Sequence, residues 1–318
     1  MVAPAWECQL VPRAVVVATM KPPKFDYVRA ENLQEVLEIL DHEGAEARVL
    51  AGGQSLLPML NMRLARPGTL VDIMRVEALR EVRDEPGGLL IGAAVRQADL
   101  ARHLGSARDV AREHLLAGEH KIGHPRDVGC ALRQTLLAMA LPWVGHAQTR
   151  SRGTVCGSIA HADPSAELPL VLVASGGAVH LRSRSRARRV PAEQFFLGMM
   201  VTARQDDELI EAISLPSIDL GTGVAFREVA RRHGDFAIVA CAAVVSADSA
   251  RLVVGGVADR PVARALPLPG DSALPAALDD FAWDLGARDD MHATATYRRE
   301  LVRRIGYEVL QEAVRCRD

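Results

Sequence analysis

A pair of adjacent glycines after an apolar run constrains this chain more than any other feature. The run ARVL (47–50) leads directly into AGGQSLLP (51–58), so Gly52 and Gly53 end what the pattern predicts to be a short buried strand. Glycine permits positive φ, and consecutive glycines let backbone N–H groups converge on one anion without a Cβ in the way. The segment therefore predicts an anion-cradling turn, with a tight turn between strands as the alternative.

A similar segment, RGTVCGSIA (152–160), follows about a hundred residues later. Gly157 again stands beside an apolar stretch, and the hydroxyl groups of Thr154 and Ser158 add hydrogen-bond donors, as Ser55 does in the first segment. We interpret this segment as a second anion-cradling turn, with the same structural alternative.

The spacing of these glycines excludes the common nucleotide-binding motifs. The sequence has no GxxxxGK[ST], which argues against a P-loop, and no GxGxxG in a βαβ unit, which argues against a Rossmann site. A dinucleotide held between two separated turns remains open.

Composition limits the class of protein. The 318 residues suffice for about two domains, and 49% are apolar, so a sizeable core is expected. The net charge of −2 and 4% aromatic residues favour neither nucleic-acid binding nor base stacking. No apolar run reaches the ~18 residues of a membrane span, so none is predicted.

The cysteines are scattered without CxxC spacing, at Cys8, Cys130, Cys156, Cys241 and Cys316. This is not the ligand pattern of zinc or iron–sulfur sites, so we expect no metal in this chain. Single dispersed thiols are typical of packing residues in a reducing compartment, and we predict a cytoplasmic protein. Residues 1–19 make a poor signal peptide and are interpreted as an extension before the domain begins.

Apolar periodicity predicts the elements of the first half. Residues 31–44 place Leu33, Val36, Leu37 and Leu40 on one helical face, between an N-cap at Asn32 and a stop at Gly44. Short apolar runs at 69–73 and 88–95 indicate strands. A helix begins near Asp99, and residues 105–140 are helix-rich.

The second half reads mainly as strands. We expect an apolar run at 170–174, then a hairpin around the arginine-rich stretch 182–189, then a strand at 207–216. Three further strands, at 222–230, 236–245 and 250–259, are expected to form an antiparallel sheet. An amphipathic helix at 294–315 completes the pattern. The boundary between two domains is expected at 216–221, and the fold class is α+β.

Several side chains have two open interpretations. His161 and Asp163 suggest a metal pair, but two ligands make no site, so turn or cofactor contacts are favoured. Five arginines fit either an acidic partner or phosphate, or a solvated sheet edge: Arg182, Arg184, Arg186, Arg188 and Arg189. The cluster at Phe195, Phe196 and Met199 fits either a cofactor contact or the core.

Together, AGGQSLLPMLNMRLARPGTLVDI and VGHAQTRSRGTVCGSIAHADPSAELP resemble the FAD-binding medium subunit of molybdenum hydroxylases, the xanthine dehydrogenase and carbon monoxide dehydrogenase family. The resemblance runs from about Pro23 to the C-terminus. It implies a two-part FAD-binding domain of the vanillyl-alcohol-oxidase type over 20–218, with 105–140 as a probable insertion. A small C-terminal domain of antiparallel sheet and helices follows over 222–318.

The resemblance also implies which residues contact the cofactor. The first diphosphate turn and its flanks comprise Leu50, Ala51, Gly52, Gly53, Gln54, Ser55 and Leu56. The second turn comprises Thr154, Gly157 and Ser158. Val144 and Gly145 line the cleft beside Trp143, and Glu167 takes the ribityl position. Relatives often carry glycine where this chain has Cys156. A cysteine there is tolerable only if the position does not need positive φ.

The resemblance implies an electron-transfer role with FAD as the cofactor. Electrons would come from [2Fe-2S] clusters of a small subunit, reduced by a large molybdopterin-binding subunit, and leave to an external acceptor. No catalytic acid or base is assigned in this chain. Two alternatives stay open: a self-sufficient FAD-dependent oxidase of the same fold, and a flavin-less scaffold subunit.

Overall fold

The computed structural model describes residues 21–105, 136–219 and 221–317, and it shows an α+β chain. The first layer is a parallel sheet of three strands, in the order β1-β3-β2, with β1 at Asp26–Arg29, β2 at Ala47–Leu50 and β3 at Thr69–Asp72. Helix α1, Leu33–Glu43, begins where predicted, because the side chain of Asn32 accepts a hydrogen bond from the N–H of Glu35 at 3.0 Å. Val36, Leu37 and Leu40 of the predicted apolar face are buried, and Leu33 is partly buried against the same core.

A five-stranded antiparallel sheet forms the second layer, in the order β4-β5-β10-β6-β7. Its strands are β4 Val82–Glu85, β5 Gly88–Gly92, β6 Ala178–Arg182, β7 Ala187–Pro191 and β10 Leu209–Pro216. The arginine-rich stretch is the predicted hairpin between β6 and β7, on the edge of the sheet. Arg182 and Arg188 donate to Glu211 and Glu208 at 2.8 and 2.7 Å, so these side chains are paired within the chain.

Short helices lie between the strands of these sheets along the chain. They are α2 Leu56–Asn61, α3 Ala147–Arg152, α4 Val155–His161, α5 Glu167–Ala174 and α6 Ala192–Phe195, with 3-10 turns at Gly44–Glu46, Glu77–Leu79 and Leu141–Trp143. Residues 97–105 and 136–140 are also helical. A small hairpin of β8 Phe196–Gly198 and β9 Val201–Thr202 follows α6. Phe195 and Phe196 are buried in the core, whereas Met199 is exposed.

The sequence pattern placed the apolar run at 170–174 among the strands of the second half, but this run is helical. It belongs to α5, in which every residue from Glu167 to Ala174 is buried. A helix that is covered on all sides loses its polar stripe, so a short apolar run cannot be told from a buried strand by periodicity.

The C-terminal part is a four-stranded antiparallel sheet covered by two helices. The three predicted strands are confirmed as β11 Gly223–Ala230, β12 Ala237–Val245 and β13 Ala250–Gly255, and β14 Val262–Leu266 adds a fourth. Helix α7, Leu274–Asp284, was not predicted. Helix α8, Ala295–Arg315, is the predicted amphipathic helix.

This C-terminal sheet is packed on both faces. Ala225, Val239 and Cys241 lie in an apolar core with α7 and α8 on one side. On the other side, Phe226 and Ala240 join the core of the preceding sheets, and α5 packs against β12 and β13. Helix α5 is therefore shared between the two parts of the chain.

Two predictions fall outside the described residues. These are the N-terminal extension at 1–19 and most of the insertion at 105–140, of which 106–135 are not described. No helix in the described residues combines the length and apolarity that crossing a membrane requires.

Candidate functional site

A cavity of about 1720 Å³ opens between the first sheet, the starts of α2, α4 and α5, and loops of the C-terminal part. Ligand pockets typically measure ~300–1,000 Å³, so this one suits an extended ligand such as a dinucleotide. Of the cofactor contacts that the sequence predicts, Leu50 alone does not line the cavity. Those that do are Ala51, Gly52, Gly53, Gln54, Ser55, Leu56, Val144, Gly145, Thr154, Gly157, Ser158 and Glu167.

The first glycine segment is a turn at the end of β2, as predicted. Gly53 has φ +71°, a left-handed conformation that glycine adopts without strain. The N–H groups of Gly52, Gly53, Gln54 and Ser55 donate no hydrogen bond to any group in the described part of the chain. Because the turn lines the cavity, these donors are available to an anionic ligand.

Gly52 has a different role in the same turn. A Cβ at this position would overlap the carbonyl oxygen of Arg152 and lie 2.7 Å from the Cα of Gly153. The two glycine segments are thus in direct backbone contact, and a residue with a side chain at position 52 would push them apart.

The second glycine segment is the start of helix α4, not the predicted turn. Thr154 is the N-cap, and its side-chain oxygen accepts the N–H of Gly157 at 3.0 Å. Gly157 does not have positive φ. Its lack of a side chain makes room instead, because a Cβ there would lie 2.6 Å from the Oγ1 of Thr154.

Cys156 lies in the first turn of the same helix and does not have positive φ. A cysteine is therefore tolerable at this position, where relatives often carry glycine. Its thiol is 3% exposed and lies 3.6 Å from the carbonyl oxygen of Ile91. Burial raises the pKa of the thiol to about 12, so the group stays protonated and serves as a packing residue.

Gln97, which sequence reasoning missed, joins the second segment to the cavity wall. Its N–H donates to the carbonyl oxygen of Gly153 at 2.9 Å, and its Nε2 donates to that of Thr154 at 3.4 Å. Its Oε1 is buried without a partner in the described residues. A buried acceptor without a donor is costly, so a hydroxyl or N–H group of a ligand is the expected partner.

Glu167 begins helix α5 and lines the cavity with only 6% of its surface exposed. Burial raises the pKa of its carboxyl group to about 7, and the nearby Asp163 adds to the rise, while Arg150 opposes it. Near neutral pH this carboxyl group can therefore donate a hydrogen bond as well as accept one.

The turn before α3 forms another wall, at the residues that the sequence placed in the cleft. Arg150 donates to the carbonyl oxygens of Val144 and Gly145 at 3.0 and 2.7 Å, and Gly145 has φ +50°. Trp143 lies beside the cavity rather than in it, with its ring centroid 5.0 Å from that of His233.

The C-terminal part supplies walls that sequence reasoning did not assign. The cavity is lined by the loop 231–236 with the first two residues of β12, by residues 256–259 after β13, and by residues 288–292 before α8. The buried side chain of Arg298 contacts all three segments, because it donates to the carbonyl oxygens of Ile238 and Gly256 at 2.9 and 2.5 Å and pairs with Asp290. Their position depends on tertiary packing, which leaves no local signal.

Comparison with known proteins agrees with this geometry. The family profile described as "FAD binding domain in molybdopterin dehydrogenase" matches residues 23–218, and that described as "CO dehydrogenase flavoprotein C-terminal domain" matches 224–313. The 6-hydroxypseudooxynicotine dehydrogenase complex subunit alpha of Paenarthrobacter nicotinovorans is 34% identical over 93% of this chain and 96% of its own length. The glyceraldehyde dehydrogenase medium chain of Sulfolobus acidocaldarius is 31% identical over 92% and 99%.

Solved structures lead to the same conclusion. Carbon monoxide dehydrogenase from Hydrogenophaga pseudoflava matches with a TM-score of 0.78 and 29% identity, over 93% of this chain and 99% of that chain. Quinoline 2-oxidoreductase from Pseudomonas putida 86 matches with a TM-score of 0.75 and 29% identity, over 93% of this chain and 98% of that chain.

Fold and cavity define an FAD-binding component of an oxidoreductase. The chain belongs to the family of FAD-binding medium subunits of molybdenum hydroxylases, as its resemblance predicted.

Proposed function

We propose that this chain holds one FAD and passes electrons from the [2Fe-2S] clusters of a small partner subunit to an external acceptor. The clusters would receive electrons from a large molybdopterin-binding subunit that oxidises the substrate. The observation that carries the proposal is the match of the FAD-binding family profile to residues 23–218. The cavity described above is lined by the residues that the sequence resemblance assigns to the cofactor, except Leu50. The vanillyl-alcohol-oxidase type of this domain belongs to the same proposal.

The residues present fit FAD. The unpaired N–H groups of the turn at 52–55 would hold the diphosphate, since Gly53 presents them without a side chain in the way. Gln97 Oε1 and the carboxyl group of Glu167 would meet hydroxyl groups of the cofactor. When bound, FAD supplies the redox chemistry, and this chain fixes its position and surroundings.

The cysteine count supports a relay rather than a complete hydroxylase. Two [2Fe-2S] clusters need about eight protein ligands, at four each, and the whole sequence has 5 cysteines. In the proposed relay, electrons would therefore enter from another subunit, which makes a contact surface near the cavity part of the proposal. We further propose that the protein works in the cytoplasm, where dispersed thiols remain reduced.

The two alternatives make different predictions for the isolated chain. A self-sufficient oxidase would turn over a substrate alone, and a scaffold would contain no flavin. The free donors at 52–55 argue against the scaffold, because a turn that binds nothing gains little from keeping them unpaired. An absorption spectrum of the purified chain distinguishes a flavoprotein from a scaffold.

The decisive test uses the assembled complex without oxygen. Substrate should bleach the flavin absorption, whereas the chain alone should show no turnover. A complex carrying Gly53→Val should have no flavin and should reduce its clusters without reducing the physiological acceptor. Gly221→Val is the matched control. Gly221 also has positive φ, at +79°, but a Cβ there would meet no atom of the described residues within 4 Å, and Gly221 does not line the cavity. Undiminished turnover to the acceptor without flavin would contradict the proposal.

A further inference from the structure

Phe236 is a large apolar side chain that the folded chain leaves uncovered. It is 70% exposed, whereas four other phenylalanines are buried: Phe195, Phe196, Phe226 and Phe281. A single exposed apolar residue on an outer surface needs no explanation. Phe236 lies instead on the wall of the cavity, and it is the only phenylalanine, tyrosine or tryptophan of the described residues that does.

The loop before Phe236 is fixed against the FAD-binding part of the chain. Gly234 has φ +87°, and a Cβ at this position would lie 2.8 Å from Nδ1 of His146 and 2.9 Å from the carbonyl oxygen of Gly145. The loop is also closed on itself, because the N–H of Asp235 donates to the carbonyl oxygen of Arg232 at 3.1 Å. The exposure of Phe236 is therefore not the result of a loop without contacts.

The chain after Phe236 is fixed as well. Strand β12 begins at Ala237, which is buried, and the carbonyl oxygen of Ile238 accepts a hydrogen bond from the buried Arg298 at 2.9 Å. The backbone of Phe236 is thus held on both sides while its ring stays uncovered. A side chain placed in this way loses little conformational freedom when a ligand covers it.

Other exposed apolar residues on the cavity wall come from different elements. They are 49% to 69% exposed and comprise Leu64, Met199, Met200 and Val201. The hairpin that carries three of them is fixed to the end of α4, because the N–H of Met200 donates to the carbonyl oxygen of Ala162 at 3.1 Å. The cavity therefore combines uncovered apolar side chains with the free N–H groups at 52–55.

This combination matches the chemistry of a dinucleotide. The N–H groups suit the charged diphosphate, and an uncovered phenyl ring suits the face of a planar heterocycle, on which aromatic side chains stack in offset geometry. FAD contains two such rings, the isoalloxazine and the adenine, one at each end of the diphosphate-linked chain.

We propose that Phe236 is a cofactor-binding residue whose ring packs against one of the two planar rings of FAD. The C-terminal part of the chain then contributes a direct contact to a cofactor whose diphosphate is held by the first part. The identity of the ligand rests on the proposed function, whereas the fixed and uncovered ring is a property of the fold.

The experiment measures the dissociation constant of FAD for the purified chain and its variants. Phe236→Ala should weaken binding by about tenfold to hundredfold, the usual loss when an aromatic side chain that stacks on a base is removed. Phe236→Leu should lose less, because leucine keeps apolar area without a flat face. Tyr307→Ala is the matched control, since Tyr307 is 45% exposed on α8 and does not line the cavity, and it should bind FAD as the wild type does.

Two further measurements distinguish the rings. If Phe236 packs on the isoalloxazine, Phe236→Trp should shift the flavin absorption and quench the flavin fluorescence, and Phe236→Ala should bind ADP as tightly as the wild type does. If it packs on the adenine, the flavin spectrum should stay unchanged, and Phe236→Ala should lose affinity for ADP by the same factor as for FAD. Either result supports the contact.

Equal FAD affinity in Phe236→Ala and Tyr307→Ala would overturn the proposal. If Phe236→Ala then also failed to assemble with partner subunits, the ring would belong to a protein interface. Without FAD, Phe236→Ala should melt at the wild-type temperature, because the ring is largely uncovered. If it does not fold, Phe236→Leu decides by the same comparison with the control. A wild-type chain that binds no FAD would refute the proposed function, whereas equal affinities refute only the role of Phe236.

Discussion

The two glycine segments look alike in sequence and differ in structure. In the turn at 52–53, one glycine supplies positive φ and the other permits contact between two backbones. In the segment at 153–158, Gly157 has ordinary helical geometry and makes room for the hydroxyl group that caps its helix. The first segment therefore depends on backbone freedom and the second on a side-chain hydrogen bond, although both line the same cavity.

Gly52→Val should have the largest effect, because it separates the two segments. Its Cβ would overlap the carbonyl oxygen of Arg152, which cannot move as a flexible side chain does. We expect a loss of stability of about 3 kcal/mol and loss of FAD, measured by denaturant unfolding and by flavin content. An unchanged midpoint of unfolding would show that the backbone contact is not needed.

Gly53→Val should abolish FAD retention at a smaller cost to folding. A β-branched residue at φ +71° is strained by about 1–2 kcal/mol or more, and its side chain would meet Leu57. Asparagine tolerates this conformation better, so Gly53→Asn should be the more stable of the two variants. Normal flavin content in Gly53→Val would mean that the segment is only a turn.

Thr154→Val should test the second segment through its hydroxyl group. Valine keeps the shape but removes the acceptor for the N–H of Gly157, and the lost N-cap should cost about 1 kcal/mol. Thr154→Ser keeps the acceptor and is the control. Thermal unfolding of both variants provides the comparison, and equal stability would contradict the capping role.

Cys156→Gly should have the smallest effect on FAD. The position has no positive φ, so glycine brings no conformational gain and costs on the order of 1 kcal/mol in chain entropy. Flavin content should be retained. Loss of FAD in this variant would give the thiol a role that its burial does not indicate.

Sequence patterns predicted helices with one polar face better than a helix buried on all sides. Helices α1 and α8 were found because their apolar residues repeat with a helical period, whereas strands β11 to β13, in a sheet packed on both faces, were found as apolar runs of strand length. Helix α5 has no polar face except its first residue, and the pattern could not separate it from a strand. Strand β14 and helix α7 were not predicted, and the domain boundary at 216–221 stays a prediction.

The residues of the site also differ in how well the sequence predicts them. The turn at 52–53 could be predicted because glycine pairs carry a conformational signal, whereas a helix start such as 153–158 shares its residues with turns. Gln97 follows an arginine in an otherwise apolar segment, GAAVRQ. Such a residue gains meaning only when its burial and its missing partner are known.

Helix α5 has a consequence for how the chain holds together. It is buried between the core of the first two sheets and the C-terminal sheet, and its first residue lines the cavity. Neither part can cover its apolar surface without the other, so both should melt in a single cooperative transition. A break in the chain between residues 216 and 222 would yield two fragments that complement each other and rebuild the cavity only when they associate.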